Sequence, residues 1–145
     1  VGGKGNEGVA ANVTRVKGAL GYVEYAYVKK NNMTFLQLQN ADGKYVSPDD
    51  ATFAAAAASA DWFSVPGMGI SMVNAKGANS WPVSTASFIL MYADPADKAQ
   101  SAEVLKFFDW AFKNGKTMAA DLDYVPLPDT LTAQIRSKVW SQIKK

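Results

Sequence analysis

Apolar side chains recur every three or four residues in two parts of the chain, and this spacing predicts amphipathic helices. We predict the first helix from Asp97 or Ser101 to Asn114. Gly115 is expected to end it. Its buried stripe is made of Val104, Leu105, Phe108, Ala111 and Phe112. A second helix is predicted after Pro128, with one apolar face made of Leu131, Ile135, Val139 and Ile143.

Other apolar segments have the short length and the composition of β-strands. Residues 20–28 are dense in Tyr and Val, and residues 35–39 alternate between apolar and polar side chains, which predicts a half-buried strand. The run at residues 87–92 is continuously apolar, so we expect a strand that is buried on both faces. Shorter strands are predicted at residues 45–46 and 70–73. This mixture of strands and helices predicts an α/β fold.

Two more helices are predicted from their capping residues. Asn6 is expected to cap a helix over residues 7–17, which Gly18 would end. Ser47 is expected to cap an alanine-rich helix that runs to about Ala60, with Pro48 at its first position.

The composition excludes several classes of function but does not identify one. The 145 residues are 48% hydrophobic and 19% charged, as in a globular domain, and the net charge is only +2. Arg15 and Arg136 are the only arginines, so the sequence lacks the dense basic stripe of a nucleic-acid-binding protein. The absence of Cys and His excludes disulfides, thiolate nucleophiles, Cys/His zinc sites and histidine acid–base catalysis.

The segment Gly3-Lys4-Gly5-Asn6-Glu7-Gly8 matches the G-x-G-x-x-G pattern of dinucleotide-binding loops. That mechanism needs a strand that leads into the first glycine, and only two residues precede Gly3. Lys4 is not followed by Ser or Thr, so it is not a P-loop lysine either. A glycine-rich entry into a helix is the favoured interpretation, and a nucleotide-dependent enzyme that uses this loop is the alternative.

The remaining candidate groups have structural interpretations that we favour. Asp49 and Asp50 are expected in the first turn of the alanine-rich helix, where acidic residues are stabilising. Glu24 is interpreted as a strand-edge charge, and Asp121 and Asp123 as part of a turn. The aromatic group of Phe107, Phe108, Trp110 and Phe112 is predicted to be core. We therefore predict no catalytic residue, no metal ligand, no cofactor and no enzymatic activity.

Three stretches together resemble one known family. The first is residues 2–8 with residues 18–27, the second is residues 81–90, and the third is residues 104–111 with residues 121–128. Their order and spacing are similar to those of the phosphate-binding proteins of bacterial high-affinity phosphate ABC transporters, the PstS family. The resemblance covers nearly the whole chain.

This resemblance implies a type 2 periplasmic-binding-protein fold, in which two α/β lobes close on one phosphate. Residues 1–79 would be the remaining part of the second lobe. Residues 80–145 would return to complete the first lobe, with the crossing near Trp81 and Pro82. The family's phosphate ligands lie upstream of the glycine-rich stretch. The chain is therefore expected to be truncated at its N-terminus and to carry no ligand-binding residue.

The resemblance also implies the biological setting. The intact protein would bind inorganic phosphate in the periplasm, or in another extracytoplasmic compartment, and deliver it to an ABC transporter permease in the inner membrane. We find no signal peptide and no apolar run long enough to span a membrane. We expect this part of the chain to be stabilised by the missing N-terminal segment or by a second copy, and not to bind nucleic acid.

Overall fold

The computed structural model describes residues 1–144 and consists mainly of helices that are joined by long irregular segments. The regular elements in chain order are α1 (Gly5–Arg15), α2 (Tyr25–Lys30), β1 (Leu38–Gln39), β2 (Tyr45–Val46), α3 (Asp50–Ser59), a 3₁₀ turn (Pro66–Met68), α4 (Lys98–Asn114), α5 (Lys116–Asp121) and α6 (Asp129–Gln134). After α6 the chain continues as a π-helical turn (Ile135–Val139) and a 3₁₀ turn (Trp140–Gln142). Among the described residues no helix combines the length and the apolar character that crossing a bilayer requires.

The two strands form a short antiparallel hairpin. Leu38 pairs with Val46, and Gln39 pairs with Tyr45. The turn between them places Gly43 at φ 74°, a left-handed conformation that glycine adopts at little cost. The predicted strand at residues 45–46 is thus confirmed. The predicted strand at residues 35–39 is confirmed only at its end, because strand pairing covers Leu38 and Gln39 alone. Phe35 and Leu36 are exposed.

The core lies between α3 and α6. Its buried residues are Ala56, Ala57, Trp62, Met72 and Leu131. The alanines of α3 allow the large Trp62 side chain to approach closely, and its indole N–H donates to the Ala57 carbonyl at 2.8 Å. A tryptophan that is buried in this way needs such a partner for its single donor.

The start of α3 differs from the prediction by two residues. Asp49 is the N-cap, and Ser47 is not. The Asp49 carboxylate accepts from the Thr52 backbone N–H at 2.8 Å, while the Thr52 hydroxyl accepts from the Asp49 N–H at 3.0 Å. This reciprocal capping box satisfies two backbone donors and places the first helical residue at Asp50.

The first helix is confirmed, but its cap is not. Helix α1 begins at Gly5 with Lys4 as the N-cap residue, so Asn6 lies inside the first turn. The Asn6 side chain instead accepts from the Glu24 backbone N–H at 3.2 Å. The helix ends at Arg15, two residues before the predicted Lys17.

Three predicted strands do not form within the described residues. Residues 70–73 and 87–92 have no strand. Residues 20–24 have no regular structure, and the rest of the strand predicted at residues 20–28 belongs to helix α2. The predicted burial of residues 87–92 is wrong for this structure, since Ile89 is 52% exposed and Leu90 is 92% exposed. A strand satisfies its backbone groups only by pairing with a neighbour, and residues 1–144 supply no partner strand for these segments.

Helix α4 agrees best with the sequence pattern, whereas the helix predicted after Pro128 is α-helical only to Gln134 and continues as π-helical and 3₁₀ turns. Helix α4 begins after Asp97, whose carboxylate caps the Gln100 N–H at 2.8 Å, and ends at Asn114 as predicted. Leu105 on the predicted stripe is buried. The aromatic group is divided, however, because Phe107 and Trp110 are 60% and 49% exposed. The prediction that all four aromatic side chains are core is therefore wrong for these two.

The chain keeps much of its apolar surface in contact with solvent. Its accessible surface is 10091 Å², whereas a compact monomer of 15.6 kDa is expected to expose about 7,300 Å². The exposed large apolar side chains include Leu20, Tyr22, Leu90 and Tyr92. A surface of this kind is typical of protein that packs against further polypeptide.

Candidate functional site

Polar side chains from both ends of the chain meet around α2. We call this group the polar junction, and its members are Asn6, Glu7, Glu24, Tyr27, Lys29, Asp123 and Tyr124. It joins residues 6–29 to the loop between α5 and α6, which is about a hundred residues further along the chain.

Glu7 and Tyr27 form the first contact of the polar junction. The Tyr27 hydroxyl donates to the Glu7 carboxylate at 2.8 Å. The hydrogen bond from its own backbone N–H, together with the Tyr27 contact, lowers the pKa of Glu7. The same contact raises the pKa of Tyr27, because the hydroxyl proton is held by the carboxylate. Both effects favour an ionised Glu7 that is hydrogen-bonded to a neutral tyrosine.

The loop after α5 presents Asp123 to α2. The Tyr124 N–H donates to the Ala119 carbonyl and the Asp123 N–H to the Ala120 carbonyl, both at 2.9 Å. This is the Schellman pattern, in which the C′ residue is left-handed and usually glycine. Here Asp123 occupies that position with φ 62°. Its carboxylate forms an ion pair with Lys29, and this contact raises the pKa of Lys29.

A second contact lies at the other end of α2. The Tyr124 hydroxyl donates to the Glu24 carboxylate at 3.4 Å, which is a long hydrogen bond. Glu24 directly precedes α2, and Lys29 lies in its last turn. Asp123 and Tyr124 therefore contact α2 at both of its ends.

Aromatic side chains connect α2 to the Trp81-Pro82 segment. The Tyr25 ring packs edge-on against Phe53, with centroids 5.4 Å apart. Phe53 in turn packs edge-on against the buried Trp81, with centroids 6.3 Å apart. Edge-to-face contacts at these separations are favourable for aromatic rings. Helix α2 is thus linked to Trp81 through two successive aromatic contacts.

The glycine-rich loop folds against its own helix. A Cβ atom on Gly3 would lie 2.5 Å from the Val9 backbone nitrogen, so a side chain there would clash with α1. A Cβ atom on Gly8 would lie 3.0 Å from the Gly3 carbonyl carbon, so these two glycines pack against each other. Close packing at the helix entry explains Gly3 and Gly8, whereas Gly5 has a left-handed backbone with φ 69°.

The carboxylates that the sequence suggested are dispersed. Asp50 lies in the first turn of α3, as predicted, while Asp49 is its N-cap. Asp123 lies in the predicted turn, but Asp121 is the last residue of α5. Glu24 belongs to the polar junction and not to a strand edge, because no strand forms there. No group of three or more potential metal ligands occurs in the part of the chain that the structure describes.

Tyr27, Lys29 and Tyr124 are the members of the polar junction that sequence reasoning missed. Lys29 contacts Asp123 and Tyr124 contacts Glu24, both about a hundred residues away in sequence. Tyr27 contacts Glu7, which is 20 residues away. Periodicity reports which face of an element is buried, but it contains no information on which distant side chain a polar group meets. No signal in the single sequence could have identified them.

Another charged group joins α4 to the C-terminal helix. Asp109 accepts from Arg136 at 2.6 Å and also pairs with Lys113 on its own helix. These two cations lower the pKa of Asp109, and Lys113 has the larger effect. Phe112 and Trp140 stack beside them with centroids 5.6 Å apart. Because Asp109 neutralises Arg136, this group serves to pack two helices and is a poor anion site.

The Tyr27–Glu7 contact can be tested by titration. We expect Tyr27→Phe to raise the pKa of Glu7 toward its ordinary value of 4.5, because the lowering depends partly on the tyrosine hydroxyl. Because the pKa of Glu7 is lower in the folded chain, its ionised form stabilises the fold above about pH 4.5. This stabilisation is lost as the pH falls through the pKa that Glu7 has in the folded chain. The carboxyl ¹³C chemical shift of Glu7, followed against pH by NMR, gives its pKa in the unmodified chain and in the variant.

Tyr124→Phe is the matched control, because it removes a tyrosine hydroxyl of the same polar junction that contacts Glu24 instead. The Glu7 titration should not change in this variant. An unchanged Glu7 titration in Tyr27→Phe would contradict the assignment of the hydrogen bond.

Comparison with known proteins gives matches along almost the whole chain. Proteins named "Phosphate-binding protein PstS" are 48% identical in Pasteurella multocida, 44% in Haemophilus influenzae and 46% in Xylella fastidiosa strain Temecula1. Each match covers 99% of this chain, but the chain spans only 42%, 43% and 40% of the three relatives. No family model matches the chain.

Proposed function

Because the chain belongs to the PstS family of phosphate-binding proteins, of which it matches a C-terminal part, we propose that it is one part of a receptor for inorganic phosphate. The observation that carries this proposal is the 44–48% identity to proteins of that name over 99% of the chain. Identity at this level along a whole chain accompanies a common fold. The relatives therefore support a periplasmic-binding-protein fold for the intact protein.

The two-lobe arrangement is part of the proposal. Residues 1–79 would belong to the second lobe, and residues 80–145 would complete the first, with the crossing near Trp81 and Pro82. The last of these residues, Lys145, lies outside the part that the structure describes. The unpaired apolar segment at residues 87–92 supports this division, since it has the composition of a central strand and lacks a sheet here. In the intact protein it would join strands of the first lobe.

The chain on its own is a poor anion receptor. A dehydrated phosphate needs several converging N–H and O–H donors, and each charge-assisted bond contributes about 1.5–3 kcal/mol. In the described residues Arg136 pairs with Asp109 and Lys29 pairs with Asp123, so neither cation is directed at an anion cavity. The phosphate ligands would come from the part of the protein that this chain does not span.

The receptor would act by binding and delivery without chemical turnover. Its partner would be the permease of a phosphate ABC transporter, and its location would be periplasmic or otherwise extracytoplasmic. Nothing in the geometry or the relatives favours the nucleotide-dependent alternative, because the Gly3–Gly8 loop packs against its own helix.

A chimera tests this proposal. It would carry residues 1–145 in place of the matched segment of the Pasteurella multocida protein and keep the rest of that relative. Isothermal titration should show phosphate binding by the chimera with a Kd on the order of micromolar or tighter, which is about −8 kcal/mol or better. The 145-residue chain alone should show no saturable binding at millimolar phosphate.

Cooperative thermal unfolding of the chimera is the control, because it separates a folded protein that does not bind from one that does not fold. A folded chimera without phosphate affinity would contradict the proposed function. Tight binding by the isolated chain would show that the phosphate site lies within these residues.

A further inference from the structure

Two contacts of the polar junction connect the segments that we assign to different lobes. Lys29 and Glu24 belong to residues 1–79, whereas Asp123 and Tyr124 belong to residues 80–145. The ion pair lies at the C-terminal end of α2, and the Tyr124–Glu24 hydrogen bond lies just before its N-terminal end. One contact would fix a distance only. Two contacts at opposite ends of a helix also resist rotation of one segment about the other.

The position of these contacts is the second observation. Tyr25 of α2 packs on Phe53, and Phe53 packs on Trp81, at 5.4 and 6.3 Å between ring centroids. Trp81 is buried and lies at the proposed crossing between lobes. In a hinge motion, atoms near the hinge move least, so contacts beside the crossing can persist while the lobes open and close.

The backbone of Asp123 is the third observation. A non-glycine residue at φ 62° is in the left-handed region, which is uncommon for residues other than Gly, Asn and Asp. The two hydrogen bonds of the Schellman turn hold it there. The turn directs a carboxylate at Lys29, which glycine at this position could not provide.

We propose that the pairs Lys29–Asp123 and Glu24–Tyr124 form a staple beside the hinge that keeps the two lobes aligned for phosphate capture. The inference rests on the proposed function, since it assigns the paired residues to two lobes of one receptor. The staple does not touch the ligand. It raises the fraction of the protein in which the lobes can close correctly, and apparent affinity is proportional to that fraction.

The test uses the chimera with the Pasteurella multocida protein and inorganic phosphate as the probe. Lys29→Gln and Asp123→Asn should each weaken phosphate binding by about two- to fivefold, the range that an exposed ion pair can produce. Asparagine tolerates the left-handed backbone, so Asp123→Asn removes the charge without disturbing the turn. The double variant should be no weaker than the weaker single variant, because both changes remove one contact.

Two further variants separate positioning from general charge or stability effects. Lys29→Arg keeps the cation and should bind phosphate as the unmodified chimera does. Lys30→Gln removes the same charge at the next residue of α2 and should also leave the affinity unchanged. All variants should unfold cooperatively without phosphate, with thermal midpoints within about 4 °C of the unmodified chimera, so that a loss of affinity is not a loss of folded protein.

Additive losses in the double variant, or affinities equal to that of Lys30→Gln, would overturn the staple while leaving the receptor function intact. An unmodified chimera that folds and does not bind phosphate would instead reject the proposed function, and the staple with it.

Discussion

Replacing Asn40 by alanine is expected to destabilise the hairpin and the 76–80 loop together by about 2–4 kcal/mol. Asn40 is 5% exposed, and its amide nitrogen lies within 3.3 Å of the carbonyl oxygens of Gly77, Ala78 and Ser80. Its side-chain oxygen accepts from the backbone N–H groups of Asp42 and Lys44. Alanine would remove up to five hydrogen bonds to buried and partly buried backbone groups at once, which costs more than the loss of one exposed hydrogen bond.

Hydrogen exchange at the Asp42 and Lys44 amides measures this effect, because both lose their acceptor in the variant. Asn31→Ala is the matched control, since Asn31 is exposed and its amide group donates only to the Tyr27 carbonyl at 2.8 Å among its side-chain contacts in residues 1–144. A change within about 0.5 kcal/mol is expected there. Equal effects of the two variants would show that the Asn40 contacts are not formed in solution.

Local signals predicted α1, α3 and α4 well and the strands poorly, while α2 begins in a predicted strand and α5 was not predicted. Helix α4 follows from the apolar spacing and from Asp97, because a helix satisfies its backbone groups within its own segment. The segment at residues 87–92 has equally strong strand composition, yet it stays unpaired. A strand depends on a neighbour that local sequence does not contain, so its formation is a property of the whole fold.

Local sequence also fails to predict which residue caps a helix and which distant side chains meet. Asn6, Ser47 and Asp49 are all good N-cap residues, and composition does not distinguish them. Only Asp49 has a threonine three residues later that returns the hydrogen bond. The contacts of the polar junction could not be predicted from local sequence at all, because Tyr124 and Glu24 are 100 positions apart. The resemblance to a family, in contrast, came from motif order and is supported by the relatives.

Leu90 tests the lobe assignment, because its substitution should leave the stability of the isolated chain almost unchanged and strongly destabilise the intact receptor. The side chain is 92% exposed here, so Leu90→Asp is expected to change the stability of the isolated chain by no more than about 0.5 kcal/mol. If residues 87–92 form a central strand of the first lobe, the same carboxylate would be buried without a partner in the chimera. The expected loss there is more than about 3 kcal/mol.

Leu90→Met is the control for this comparison, since it keeps an apolar side chain of similar volume and should cost less than about 1.5 kcal/mol in either context. Urea unfolding of the chimera, and hydrogen exchange of the isolated chain, measure the two sets of effects. A chimera that tolerates Leu90→Asp as well as Leu90→Met would place residues 87–92 on the surface of the receptor. It would also remove the physical reason for assigning residues 80–145 to the first lobe, because that assignment requires the strand to be covered.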